Sequence, residues 1–176
     1  MIDFSQDYFA LFGLQPRYRF DASELDSAYR ALQTIVHPDR FAAAGDDERR
    51  TALQSSARVN EAYRALKDPV IRAQYLLSLQ GIDASSETDT SLPLDFLERQ
   101  LERREAVDDA QRAKDGHRLQ SLLDDVRKEI AALESTMAEA LDSRRRWEEA
   151  RLQLRELQFL SKIAADVDAA LAAIED

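Results

Sequence analysis

His37-Pro38-Asp39 separates two long runs of helical periodicity, and reading it as the break between two helices decides the fold. Upstream, Leu25, Ala28, Tyr29, Leu32, Ile35 and Val36 fall on one face of a helix, and Asp21 followed by Glu24 has the spacing of a capping box. Proline disfavours helical geometry in the residue before it, so this helix stops at His37. Downstream the loop continues through Phe41 to Gly45. A second helix then runs from about Asp47 to Lys67, with Leu53, Ala57, Asn60, Tyr63 and Leu66 at helical spacing. An imidazole, a rigid ring and a carboxylate are thereby displayed on the tip of an inter-helix loop, where a protein offers chemistry to something outside itself.

Asp7-Tyr8-Phe9-Ala10-Leu11-Phe12 reads as a short helix closed by Gly13. Asp68-Pro69 ends the second long helix, and Pro69 suits the first turn of another short one carrying Tyr75, Leu76 and Leu79. The stretch from Gly81 to Ser91 is small, polar and aperiodic, which predicts a linker over 81–92. Three further helices are expected near 93–113, 116–141 and 144–174, with turns marked by Gly116 and by Asp142-Ser143. Their short connections make sequential helices antiparallel neighbours, hence a three-helix bundle. Its core stripes are Leu119, Leu122, Leu123 and Val126 on the middle helix and Trp147, Leu154, Leu157 and Leu160 on the last. Trp147 and Tyr63 are assigned to core, and His117 to the surface. Arg144-Arg145-Arg146 reads as a solvated helix start.

Composition agrees with an all-helical chain: 176 residues hold only four Gly and four Pro, and 33% of them are charged. The absence of cysteine excludes disulfides, thiolate nucleophiles and cysteine-ligated metals, and two histidines are too few to build a metal centre, so neither cofactor nor metal is expected. No apolar run approaches membrane-spanning length, and Met1-Ile2-Asp3-Phe4 carries acid where a targeting peptide needs base. A soluble cytosolic protein is the expectation. Residues 1–80 hold ten Lys/Arg against eleven Asp/Glu, and residues 81–176 fourteen against twenty-three, so nine of the ten net negative charges lie in the second half. That balance argues against nucleic acid as a partner.

The helix near 93–113 has two apolar faces. At 100° per residue, Phe96, Ala106, Val107 and Ala110 share one face, and Leu94, Leu97 and Leu101 another, roughly opposite, with Glu98 and Glu105 on its margin. A bundle helix needs only one apolar face. From these residues alone, the leucine stripe reads equally as a docking surface or as a face packed elsewhere in the chain.

Two long helices joined by a His-Pro-Asp loop, with a short helix before and after, resemble the J domain of DnaK-type co-chaperones. Tyr8-Phe9-Ala10-Leu11-Phe12-Gly13-Leu14, His37-Pro38-Asp39-Arg40-Phe41, Val59-Asn60-Glu61-Ala62-Tyr63 and Arg72-Ala73-Gln74-Tyr75-Leu76-Leu77 follow in order. With Phe96-Leu97-Glu98-Arg99-Gln100-Leu101-Glu102-Arg103-Arg104-Glu105 and Leu157-Gln158-Phe159-Leu160-Ser161-Lys162, nearly the full length is similar to the HscB family, the J-protein co-chaperones of iron–sulfur cluster assembly. The resemblance implies an L-shaped, two-domain molecule: a J domain at 1–80 and a scaffold-binding bundle at 93–176. It also implies two partners, a DnaK-type ATPase (HscA), stimulated through His37, Pro38 and Asp39, and a cluster scaffold (IscU), held by Leu97, Leu101, Glu102, Glu105 and Phe159. Glu98 stands where the family pattern often has an apolar residue, and Arg40 where a lysine is common. Arg30 is the only basic residue of the first long helix, so docking on the ATPase would rest on Arg30, Arg40 and apolar contact.

Three rivals follow. A J-protein with a different client would stimulate the ATPase without binding the scaffold. An enzyme using His37 and Asp39 would need a nucleophile, a pocket and an oxyanion donor, which a lone His–Asp step on a loop lacks. A purely structural helical protein would be indifferent to changes at His37.

Overall fold

The computed structural model describes residues 3–84 and 92–175, and all regular structure among them is helical. Two compact units divide the chain, Met1–Gln80 and Gly81–Asp176. Residues 85–91 of the expected linker lie outside the described residues.

The first unit contains α1 (Tyr8–Leu11), α2 (Ala22–Val36), a 3₁₀ turn (Pro38–Phe41), α3 (Asp46–Lys67) and α4 (Pro69–Ser78). Aspartates begin three of the helices. Asp7 accepts from the Ala10 amide at 2.9 Å, Asp21 from Ser23 at 2.8 Å, and Asp68 from Val70 at 2.8 Å and Ile71 at 2.9 Å. Each such cap is worth about 1 kcal/mol. Gly13, at φ 69°, ends α1, and the Leu14 amide reaches the Phe9 carbonyl at 2.9 Å, a closure that needs a left-handed residue.

Phe9, Leu25, Val59, Leu66 and Leu77 are fully buried and form the core of this unit. On α3 the inward stripe is Ala52, Ser55, Val59, Ala62 and Leu66 rather than the one expected through Leu53 and Ala57. Leu53 is 58% exposed. The apolar residues of α3 spread over more than one stripe, and close packing against α2 selects the stripe with the smallest side chains. Asn60 and Tyr63 lie half-buried beside it. Asn60 Oδ1 accepts from Tyr29 at 2.9 Å and from Gln33 at 2.6 Å, while the Tyr63 hydroxyl donates to Asp26 at 2.8 Å. Tyr63 therefore clamps α2 to α3 from the edge of the core instead of filling it.

The second unit contains α5 (Leu94–Arg112), α6 (Gly116–Ala138), a π-turn (Glu139–Arg144) and α7 (Trp147–Glu175). Its core runs along the three helices through Phe96, Val107, Ala110, Leu119, Leu123, Val126, Leu160 and Val167. Both inter-helix turns lie close to their expected places but use other residues. The left-handed positions are Lys114 (φ 53°) and Arg145 (φ 51°), closed by Asp115 N–H to the Ala110 carbonyl and Arg146 N–H to the Ala140 carbonyl, each at 2.9 Å. Gly116 is instead the first residue of α6, capped by Asp115. Trp147 opens α7 and is half-buried rather than core, since a residue in the first turn of a terminal helix has neighbours on one side only.

Two candidate docking surfaces

Proline geometry shapes the tip of the first unit. His37 is extended (φ −58°, ψ 127°), as the residue before Pro38 must be, and its amide still closes α2 on the Gln33 carbonyl at 3.0 Å. The segment that follows is a 3₁₀ turn rather than irregular loop, held by Arg40 N–H to the His37 carbonyl at 3.1 Å and Ala42 N–H to the Asp39 carbonyl at 3.3 Å. His37 Nδ1 faces its own loop, 3.4 Å from the Asp39 amide and 3.6 Å from Asp39 Oδ2. Nε2 is thereby the ring nitrogen available to a partner. The two side chains are 54% and 89% exposed, so the pair is held in place without being buried.

Arg40 points back toward the helix. Its Nη1 donates to the Thr34 carbonyl at 2.8 Å, while the Thr34 hydroxyl donates to the Arg30 carbonyl at 3.0 Å. The cation sits where the negative end of α2 favours it. Arg30, exposed one turn before Thr34, donates to the Ser27 hydroxyl at 3.3 Å. Both expected basic contacts therefore lie on the α2 side of the loop.

Beside the turn lies an open groove of about 570 Å³, lined by Leu32, Ile35, Val36, Phe41 and Ala52 and flanked by the carboxylates of Asp47 and Glu48. Ile35, expected on the core face, is 56% exposed and belongs to this groove. The signal was present in the sequence: Ile35 and Val36 are adjacent and 100° apart, so the core could take only one of them fully, and it took Val36.

On the second unit, α5 presents the two faces the periodicity required. Phe96 and Ala110 are buried at 2% and 0% exposure, whereas Leu94, Leu97 and Leu101 are exposed at 72%, 40% and 61%. Glu98, Glu102 and Glu105 are exposed around the leucines. Phe159 of α7 is half-buried, its ring edge-on to Phe96 with centroids 5.8 Å apart. It thus belongs partly to the core, in keeping with its place at the edge of the α7 stripe. Leu152 on the same helix is 45% exposed. Carboxylates rim the exposed leucines, so this face combines apolar area with negative charge. Among the described residues no group of three or more His, Cys, Asp or Glu side chains is placed to hold a metal ion. None of the described helices is long and apolar enough to cross a membrane.

Residues 7–75 match the DnaJ domain family, and residues 92–168 match the HSCB C-terminal oligomerisation domain. The co-chaperone protein HscB homolog of Azoarcus sp. (strain BH72) is 42% identical over 175 residues, which is 99% of each chain. Among solved structures, the chaperone HscB from Vibrio cholerae superposes with a TM-score of 0.86 at 35% identity, covering 96% of this chain and 99% of that one. The human co-chaperone protein HscB gives a TM-score of 0.89 at 27% identity, covering 96% and 83%.

Proposed function

Because the chain belongs to the HscB co-chaperone family, we propose that it joins a DnaK-type ATPase, HscA, to the iron–sulfur scaffold protein IscU in the bacterial cytoplasm. The observation that supports this reading is that two separate compact units each expose a distinct surface feature. One is the exposed His37-Pro38-Asp39 turn; the other is the leucine face of α5.

His37, Pro38 and Asp39, with Arg40 and Arg30 behind them, contact the ATPase. They bind its hydrolysis-competent state more tightly than its resting state, and this difference alone is sufficient to accelerate hydrolysis. The chain performs no chemistry itself, since the bond broken is in the nucleotide held by the partner. Leu97, Leu101 and Phe159 contact the scaffold, and Glu98, Glu102 and Glu105 set its orientation. The apolar groove at Ile35 extends the ATPase contact, which compensates for a first long helix whose only basic residue is Arg30.

The test is steady-state ATPase of the partner chaperone with and without scaffold. His37→Gln is expected to abolish stimulation and leave scaffold binding intact. Leu97→Ala/Leu101→Ala is expected to stimulate the ATPase and fail to recruit scaffold. Wild-type behaviour of either variant would remove the corresponding site assignment, and a chain that stimulates the ATPase yet never binds scaffold would serve a different client.

A further inference from the structure

Helix α5 carries large apolar side chains on the face it exposes as well as on the face it buries. Leu94, Leu97 and Leu101 look outward, while Phe96, Val107 and Ala110 look inward. Hydrophobic burial is non-directional and scales with apolar area, so it does not by itself choose between this setting and one with α5 turned about half a revolution. In that alternative the leucines would enter the core and the docking face would vanish.

An ion pair anchored on the inward face makes the choice. Gln100 is 2% exposed; its Oε1 accepts from Arg103 Nη1 at 2.5 Å, whereas its Nε2 is buried with no hydrogen-bond partner among the described residues, so the amide by itself favours turning and the charged pair must outweigh it. Arg103 Nη2 donates to Glu129 Oε2 on α6 at 2.6 Å, with the two side chains only 17% and 31% exposed. Turning α5 would carry the guanidinium into solvent and leave the half-buried Glu129 carboxylate without it. It would also bring Glu98 and Glu105, which flank the leucines, toward the core. Stranding a partly buried charge costs more than exchanging one apolar face for the other gains.

We infer that Arg103 and Glu129, with Gln100 Oε1 holding the guanidinium, form a rotational lock that keeps the leucine face of α5 outward. They are positioning residues for the docking surface and make no contact with the docked protein. The inference rests on the reading of that face as a docking surface only for its consequence, since the lock itself is a property of the free chain.

The absence of cysteine makes the orientation of α5 directly measurable. Single thiols are placed in the full-length chain at Glu105→Cys, on the leucine side, and at Val107→Cys, on the core side. With the lock intact, the thiol at 107 should be alkylated roughly 100-fold more slowly than the thiol at 105. Arg103→Glu should shrink that ratio to roughly tenfold or less, and the charge swap Arg103→Glu/Glu129→Arg should restore it. If Arg103→Glu loses its helical circular dichroism, Arg103→Gln replaces it in the same comparison. A ratio that stays high in a helical Arg103 variant, or that the swap fails to restore, overturns the lock. Scaffold affinity of the same variants without the thiols is read separately. If the ratio collapses and affinity does not fall, the lock stands and the leucine face is not the docking surface.

Discussion

Arg40 Nη1 donates a 2.8 Å hydrogen bond to the carbonyl of Thr34, tying the turn that carries His37 and Asp39 back to the helix it leaves. The tie satisfies a carbonyl in the last turn of α2 and places a cation at the negative end of the helix dipole. The presentation of the imidazole and carboxylate therefore depends on a residue that is not one of the three.

Replacing Arg40 with alanine should cost about 1 kcal/mol of stability, because the bond is charged but exposed. It should also lower ATPase stimulation more than it lowers stability, since the freed turn samples other settings. Arg40→Lys keeps one donor and the charge, and is expected to fall between alanine and wild type. Urea unfolding and ATPase assays on the same preparations check the order.

Ile35 tests the groove. It is more than half exposed, so Ile35→Ser should change stability by less than about 0.5 kcal/mol. Stimulation of the partner ATPase should nevertheless fall severalfold, as an increase in the concentration of this chain needed for half-maximal effect. An unchanged titration would confine the contact to the turn and its arginines.

Glu156 provides a pH signature in the second unit. Burial pushes its carboxyl above the ordinary value, with Arg99 opposing and Asp95 and Glu129 adding to the rise. The folded chain thus holds this proton more tightly than the unfolded chain. The associated stability is fully present below the ordinary carboxylate value and is lost as pH rises through the raised one. Glu156→Gln should therefore raise the melting temperature at pH 7, and the gain should shrink as the pH is lowered to 4. Thermal melts across that range decide it, and a gain independent of pH would assign the effect to packing.

The two turns of the bundle carry a removable cost. Lys114 and Arg145 are left-handed residues with a Cβ. Glycine at either site relieves that strain while adding freedom to the unfolded chain, for a net gain of up to about 1 kcal/mol each. The sites lie at opposite ends of α6, so the double variant should be close to additive. Calorimetric melts of the single and double variants measure both expectations.

Local rules carried most of the architecture. Pro38 ends α2 at Val36, Asp68-Pro69 separates α3 from α4, and aspartate caps mark four starts, because backbone geometry and capping act over a few residues and are written in a few residues. The turns of the bundle were missed by two or three residues because left-handed lysine and arginine have no distinctive signature. The stripe of α3 was misread for a different reason. Leu53 is the more hydrophobic choice, yet Ala52, Ser55 and Ala62 are what fits beneath α2.

The same division runs through the candidate sites. His37-Pro38-Asp39 and the two faces of α5 were legible from residue type and period. That Ile35 lines a groove, that Phe159 leans on Phe96, and that Arg103, bonded to Gln100, meets Glu129 across 26 positions were not. One signal was available for the last of these: Gln100 and Arg103, three residues apart, interrupt the otherwise apolar inward face of α5. Periodicity places residues on faces and chain geometry ends helices, both of which are local. Which apolar face is buried depends on how small, large and charged side chains from different helices fill one volume, and only the packed chain contains that volume.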